Sequence, residues 1–286
     1  MITYGQALVL GLLQGFSELF PISSLGHSVL IPALLHWQLD EHSQVFILFL
    51  VATHLATALV LLIFFWKDWM EVISGLFRLI ENRDIGAHDT YARLAWLLII
   101  ATIPAGLIGL LFQKKFEALF AAPKLVAIVL ILNGLLLFGV ELVKRSRRRF
   151  ENLRNTGDAA IVKISSYSAF GAGIMQALAL IPGFSRTGAS LAGGLLAGLG
   201  HESAARFSFL LATPIILAAA VLKLPTLLHV STTVLMPILF GGVVSAIAAF
   251  LSLTFLVRYF KTNTLIPFAW YCVVAGSVSF LLLLYS

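Results

Sequence analysis

Charge is what this sequence has little of. Only 11% of its 286 residues are Asp, Glu, Lys or Arg, while 60% are hydrophobic. A soluble globular chain carries about 25% charged and about 45–50% apolar residues. With less than half the usual charge the chain cannot clothe a soluble surface, which excludes a soluble enzyme, a disordered segment and a collagen. Cysteine is nearly absent as well. The single Cys272 cannot close an internal disulfide, so a disulfide scaffold is excluded, and its place in an apolar run marks it as a packing residue. No basic n-region precedes the first apolar stretch, which therefore does not read as a cleavable signal. What is left is an all-α polytopic membrane protein.

A helix needs about 20 apolar residues to cross the hydrocarbon core. Six stretches suit that length: roughly 45–66, 94–112, 125–143, 206–223, 234–257 and 265–285. Two further apolar regions are broken. Residues 5–35 are cut by Pro21, Ser23, Ser24, Gly26 and His27, and residues 168–199 by Pro182, Gly183, Ser185, Arg186 and Gly188. Each has a short apolar arm on either side of a polar centre. Irregular backbone at membrane depth survives only inside protein or beside a wet cavity, so both regions are expected to be re-entrant helix–loop–helix hairpins.

The two regions also resemble each other. Gln14 precedes Pro21 in one, and Gln176 precedes Pro182 in the other. Later, Phe49-Leu-Val-Ala-Thr53 matches Phe209-Leu-Leu-Ala-Thr213. Paired, interrupted segments in matching halves predict an inverted repeat with a binding site at its interface. The expected organisation is a single membrane domain over 1–286. Its first repeat covers about 1–143, a basic linker about 144–167, and a second repeat about 168–286.

The net charge of +6 reports orientation. With hairpins returning to their own side, loops 67–93, 144–167, 201–206 and 258–264 share a face. They hold fourteen of the 19 Lys and Arg residues, including the run from Lys144 to Arg149. Lys114, Lys115, Lys124 and Lys223 lie opposite, and Arg186 lies in a hairpin. The positive-inside rule makes the first face cytoplasmic and both termini external. The first hairpin then enters from outside and the second from the cytoplasm, their tips meeting near mid-membrane. The basic run reads as a topology anchor that also suits anionic headgroups.

Ionisable groups inside a membrane are costly, so each is a candidate site residue. Gln14 and Glu18 stand at i and i+4, on one helix face. Ser23, Ser24 and His27 follow in one loop. The second hairpin adds Ser185, Arg186, Thr187 and Ser190 around Gly183 and Gly188. Arg is a permanently charged fork suited to phosphate, and glycines beside a helix start let backbone N–H groups approach an anion. A carboxylate, hydroxyls, an imidazole and an Arg–glycine nest suggest phosphoryl chemistry. A hydroxyl would attack, His27 would shuttle the proton and Arg186 would hold developing charge. Glu18 would orient the His or bind a metal. Ser23 and Ser185 also suit the capping of bent helices. His54, alone on an apolar span, and Glu141, beside Lys144, read as structural, and Gly193, Gly194 and Gly198 as helix-packing contacts.

Gln14-Gly-Phe-Ser-Glu18, Pro21-Ile-Ser23-Ser24-Leu25-Gly26-His27 and Pro182-Gly183-Phe184-Ser185-Arg186-Thr187-Gly188 resemble the two motifs of the bacterial undecaprenyl-diphosphate phosphatase family, and the likeness covers nearly the whole chain. The resemblance implies a bacterial plasma-membrane enzyme. It would remove the terminal phosphate of undecaprenyl diphosphate, regenerating the lipid carrier of peptidoglycan synthesis, with a link to bacitracin resistance. It implies a divalent cation (Mg²⁺ or Ca²⁺) at Gln14 and Glu18, Ser24 as nucleophile and His27 as acid/base. Arg186 with Ser185 and Thr187 would grip the diphosphate, beside Ser23, Gly183 and Gly188. Three positions depart from the family pattern. Gln14 stands where many members have Glu, Leu25 where Thr is common and Ser190 where Thr is usual. The polyprenyl tail must stay in lipid, which asks for a pocket open sideways, expected toward the outer side. The repeat pattern supports an alternative, a polyprenyl-phosphate flippase using the same site. A homodimer is among the expected partners, and nucleic acid is not.

Overall fold

A computed structural model describes residues 2–37, 43–86, 89–147, 157–227 and 231–285. Within the basic linker residues 148–156 fall outside the described residues, and with them Arg148, Arg149 and Arg154. The described regular structure is helical throughout. It comprises α1 (Tyr4–Leu19), α2 (Ser24–Leu34), α3 (Gln44–Phe64), α4 (Trp66–Asn82), α5 (Thr90–Glu117), α6 (Pro123–Arg147), α7 (Asp158–Ile161), α8 (Ser166–Ala177), α9 (Arg186–Leu196), α10 (His201–Leu227), α11 (Thr232–Tyr259) and α12 (Ile266–Tyr285), with two short 3₁₀ turns.

Six helices are long and apolar enough to cross a membrane: Gln44–Phe64, Thr90–Phe112, Pro123–Ser146, His201–Val221, Thr232–Tyr259 and Ile266–Tyr285. They are the six expected spans with slightly shifted ends. Two stretches read as loops differ. Residues 201–206 open α10, and 67–93 contains α4, a helix whose polar residues hid it from a search for apolar runs.

The broken regions are pairs of short helices. At 1.5 Å per residue, the 16 residues of α1 and the 11 or 12 of α2, α8 and α9 fall short of a 30 Å core. Local sequence sets their starts. The Thr3 hydroxyl accepts from the Gln6 N–H in a capping box, and Ser165 caps α8 through the Ser168 N–H. The helices of each pair pack together, α1 on α2 and α8 on α9.

The longer-range packing is crossed. Helix α1 lies against α11 near the far end of the chain, and α8 lies against α5 near its start. Helices α6 and α12 pair with each other in a reciprocal way. A Cβ at Gly134 would lie 2.7 Å from the Ala269 carbonyl oxygen, and one at Gly276 would lie 2.8 Å from that of Ala127. The register is antiparallel, each glycine meeting the residue seven positions before the other. Small residues permit such approaches where dispersion, not water exclusion, must hold helices together. Gly193 likewise seats on Ala172 and Gly194 on Ala204, the packing role expected of both. Leu61, Leu97, Phe207, Phe209 and Leu253 lie in the central cluster, and the Ser245 hydroxyl donates to the Thr53 carbonyl at 3.2 Å.

Candidate functional site

Both polar loops are built the same way. A residue before proline is pushed out of the helical region. Phe20, before Pro21, has φ −72° and ψ 146°; Ile181, before Pro182, has φ −86° and ψ 117°. Each loop then contains a residue at positive φ, Ser23 at 70° and Gly183 at 108°. Each restarts a helix with a serine cap. The Ser23 hydroxyl accepts from the Gly26 N–H at 3.1 Å, and the Ser185 hydroxyl from the Gly188 N–H at 3.0 Å. The capping role open to both serines is realised.

The loops meet. The Thr187 hydroxyl donates to the Glu18 carbonyl at 2.8 Å, and the Ser185 hydroxyl to the Phe20 carbonyl at 3.3 Å. A Cβ on Gly26 would lie 3.1 Å from the Gly183 Cα, so the backbones touch where side chains would separate them. Asn133 of α6 joins both loops. Its Nδ2 donates to the Pro21 carbonyl at 3.0 Å, and its Oδ1 accepts from the Ser185 N–H at 3.1 Å. Cys272 is fully buried at the same place, accepting at Sγ from Asn133 Nδ2 at 3.3 Å. Its packing role stands.

Glu18 is the hub of the cluster. Its Oε2 accepts from Gln14 Nε2 at 2.9 Å and from the Ser24 hydroxyl at 2.5 Å. Its Oε1 pairs with Arg186 Nη2 from the second loop. His54 Nε2 lies 3.2 Å from Oε2. His54 Nδ1 donates to the Leu50 carbonyl at 2.7 Å, which places a proton on that nitrogen. The His54–Glu18 contact is then a hydrogen bond only when one further proton lies between them. Gln14, Glu18 and Ser24 are buried. Ser190 is engaged elsewhere, on the Ser208 hydroxyl at 2.6 Å and the Arg186 carbonyl at 2.8 Å.

Of the residues singled out from the sequence, the structure places Gln14, Ser24 and Arg186 around Glu18. It differs at two histidines. His27 turns away from the Glu18 cluster: its Nδ1 donates to the Ser23 carbonyl at 2.7 Å and its Nε2 accepts from the Tyr271 hydroxyl at 2.8 Å. Although Ser24 and His27 are only one helical turn apart in α2, the imidazole is engaged by Ser23 and Tyr271 rather than by Glu18. His54, read as structural, is in the cluster instead. Asn133 and Tyr271 were missed. The signal for Asn133 was a carboxamide in mid-span; Tyr271 carried none. Glu141, also read as structural, pairs with His201 at 2.8 Å and Arg145 at 3.8 Å, away from the loops.

His27 and Tyr271 help line a cleft of about 340 Å³ whose wall is mostly apolar, with Val9, Leu12, Phe16 and Ile22 among its residues. The first three are partly exposed along α1, so the cleft opens beside that helix.

As for a metal, no group of three His, Cys, Asp or Glu stands ready among the described residues. Gln14 Oε1, however, is a buried oxygen with no hydrogen-bond partner beside the Glu18 carboxylate. Magnesium commonly binds through one or two carboxylates plus substrate phosphates. One carboxylate and one orphaned carboxamide oxygen fit a cation that takes its remaining ligands from a phosphate substrate.

The whole chain has close counterparts. Residues 7–278 match the family model described as bacitracin resistance protein BacA. The chain is 41% identical to an undecaprenyl-diphosphatase of Mycolicibacterium paratuberculosis, over 97% of this chain and 96% of that one. It is 47% identical to undecaprenyl-diphosphatase 2 of Burkholderia ambifaria, over 93% and 92%, and 46% identical to undecaprenyl-diphosphatase 2 of Chromobacterium violaceum, over 96% and 97%. With a family match and similarity that run almost end to end, the chain belongs to the BacA bacitracin resistance family.

Proposed function

We propose that this membrane protein hydrolyses undecaprenyl diphosphate to undecaprenyl phosphate and inorganic phosphate. The observation that carries the reading is the Glu18 carboxylate, held between the Ser24 hydroxyl of one loop and the Arg186 guanidinium of the other. In the proposed reaction Ser24 Oγ bonds to the terminal phosphorus, and its proton passes to Glu18 Oε2. The bond from that phosphorus to the bridging oxygen breaks, and the lipid monophosphate leaves with the bond's electrons. Arg186 turns from Glu18 toward the phosphoryl oxygens as charge develops there. Water then bonds to the phosphorus, the Ser24 Oγ–P bond breaks, Oγ regains its proton from Glu18 and inorganic phosphate leaves. A divalent cation held by Gln14 and Glu18 would neutralise phosphate charge. The apolar cleft beside α1 suits an isoprenoid tail that never leaves the lipid.

We further read the paired helices α1–α2 and α8–α9 as re-entrant hairpins of an inverted repeat. The crossed contacts of α1 with α11 and α8 with α5, and the reciprocal glycines of α6 and α12, support this. The excess of Lys and Arg on one set of loops supports external termini, and we read the mouth on the outer side because the first hairpin, with most of the candidate residues, would then enter from there. The same crossed packing favours a second reading, a polyprenyl-phosphate flippase.

The test is phosphate release from undecaprenyl diphosphate by purified protein, with and without Mg²⁺ or Ca²⁺, beside Ser24→Ala and Arg186→Ala. Release by the wild type that both substitutions abolish, with folding intact, supports the phosphatase. Saturable lipid binding without release, and transport that survives Ser24→Ala, would move the flippase to first place.

A further inference from the structure

Helix α4 has three faces rather than two. Val72 and Gly75 are buried against the bundle, and a Cβ on Gly75 would lie 2.5 Å from the Ala92 nitrogen. A polar face carries Lys67, Glu71, Ser74, Arg78 and Glu81. The third face is apolar and uncovered: Trp66, Met70, Ile73, Phe77 and Ile80 are each 45–66% exposed. Their spacing of four, three, four and three residues keeps them on one stripe of a helix. A water-facing helix has no use for such a stripe, and a core helix would not leave it bare.

We infer that α4 lies in the bilayer boundary, with this stripe buried in the lipid of the leaflet where α3 ends and α5 begins. Three observations select lipid as the occupant. The stripe is continuous with Leu59 and Ile63 of α3, exposed at 46% and 70% in the same four-and-three rhythm. Since α3 is a span, its bare face meets hydrocarbon, and a stripe that runs on from it meets the same medium. The level is right as well. Only Phe65 separates the end of α3 from the start of α4, and Gly75, near the middle of α4, crosses the first turn of α5. Finally, the polar face is segregated from the apolar one, as in helices that lie in an interface.

The charges around α4 sharpen the proposal. Lys67, Arg78 and Arg83 stand against Asp68, Glu71, Glu81 and Asp84, so attraction to anionic headgroups does not hold the helix down. Apolar burial does, helped by ties to the bundle: Asp68 to Arg206 at 2.7 Å and Asp89 to Arg78 at 2.6 Å. Seating should therefore be independent of the anionic lipid fraction.

The experiment is spin labelling of the full chain in lipid nanodiscs, at Met70→Cys, Phe77→Cys, Glu71→Cys and Glu81→Cys, each made separately. Cys272 is fully buried, and the wild type taking up no label serves as the control. Labels at 70 and 77 should relax with oxygen and be protected from a water-soluble nickel chelate, while labels at 71 and 81 do the reverse. The pattern should be the same in discs with and without phosphatidylglycerol. Chelate access at all four positions would put the stripe in water and overturn the proposal. Protection of 70 and 77 from both reagents, with dipolar coupling between copies, would overturn it in favour of a dimer.

Discussion

Glu18 at the end of α1 and Arg186 at the start of α9 are separated by most of the chain, and they form one ion pair inside the bundle. Removing one partner of such a pair leaves a buried charge, at a cost of about 3–5 kcal/mol. Arg186→Ala should therefore lower the thermal midpoint in detergent as well as the rate. Losing a charged donor at the phosphoryl oxygens should slow phosphate release by about 10²–10³-fold. Arg186→Lys keeps the charge but not the planar fork. It should recover most of the stability and little of the rate; equal recovery of both would reduce Arg186 to a structural counter-ion.

Ser23 and Ser24 are neighbours with separable jobs. Ser24 donates to Glu18, whereas Ser23 caps α2 from a backbone at φ 70°. Ser24→Ala should stop turnover and leave the fold intact. Ser23→Ala should cost about 1 kcal/mol of stability through the lost cap. Ser23→Asn, which caps and tolerates positive φ, should restore it. Paired unfolding and turnover measurements on the three variants would expose a wrong division of labour.

His54 should matter to the rate more than to the fold. It touches the same Glu18 oxygen that receives the Ser24 hydroxyl. His54→Ala should lower turnover by about 10²-fold, the low end for a residue assisting proton transfer. If phosphate release is unchanged in His54→Ala, the contact is packing alone.

Asn133→Ala should loosen both loops together, because one carboxamide serves the Pro21 carbonyl and the Ser185 N–H. Each group left buried and unpaired costs about 1–3 kcal/mol. The expected signature is a lower unfolding midpoint and faster amide exchange at Ser185. A midpoint unchanged from wild type would mean that water replaces the side chain without loss.

Outside the membrane, Asp89 gives a pH test. Its hydrogen bond from Arg78, and after that the Ala92 N–H, hold its carboxyl down at about 2, below the ordinary carboxylate value near about 4. A carboxylate depressed in the folded state stabilises it above the unfolded pKa, and that contribution fades as pH falls from about 4 toward about 2. The pair is partly exposed, so the effect should stay below about 1 kcal/mol. Asp89→Asn should lower the midpoint slightly at pH 7 and not at pH 2; a gap that persists at pH 2 would assign it to something other than charge.

The spans were legible because twenty apolar residues in a row have few other uses, and the loops because proline, glycine and charge in mid-membrane need a reason. That Gln14, Glu18, Ser24 and Arg186 converge could be read from their cost in lipid. The orientation of His27 could not. Whether position 27 faces Glu18 or Tyr271 depends on where α2 restarts, and the positive φ of Ser23 sets that. Helix α4 escaped because a segment with polar residues on one side looks like a loop when only mean hydropathy is read. His54 was visible as a costly residue, but its partner is fixed only by how α3 packs beside α1.

The crossed contacts of α1 with α11 and of α8 with α5 bear on how the chain is made. Beyond its own hairpin partner, each half's leading helix rests mainly on a helix of the other half, so the amino-terminal half leaves the ribosome unfinished, with one flank of α1 bare until α11 is inserted. Final assembly therefore waits on the end of synthesis. Two separately expressed halves, cut in the stretch between α6 and α7, should each be degraded alone and rescued by co-expression.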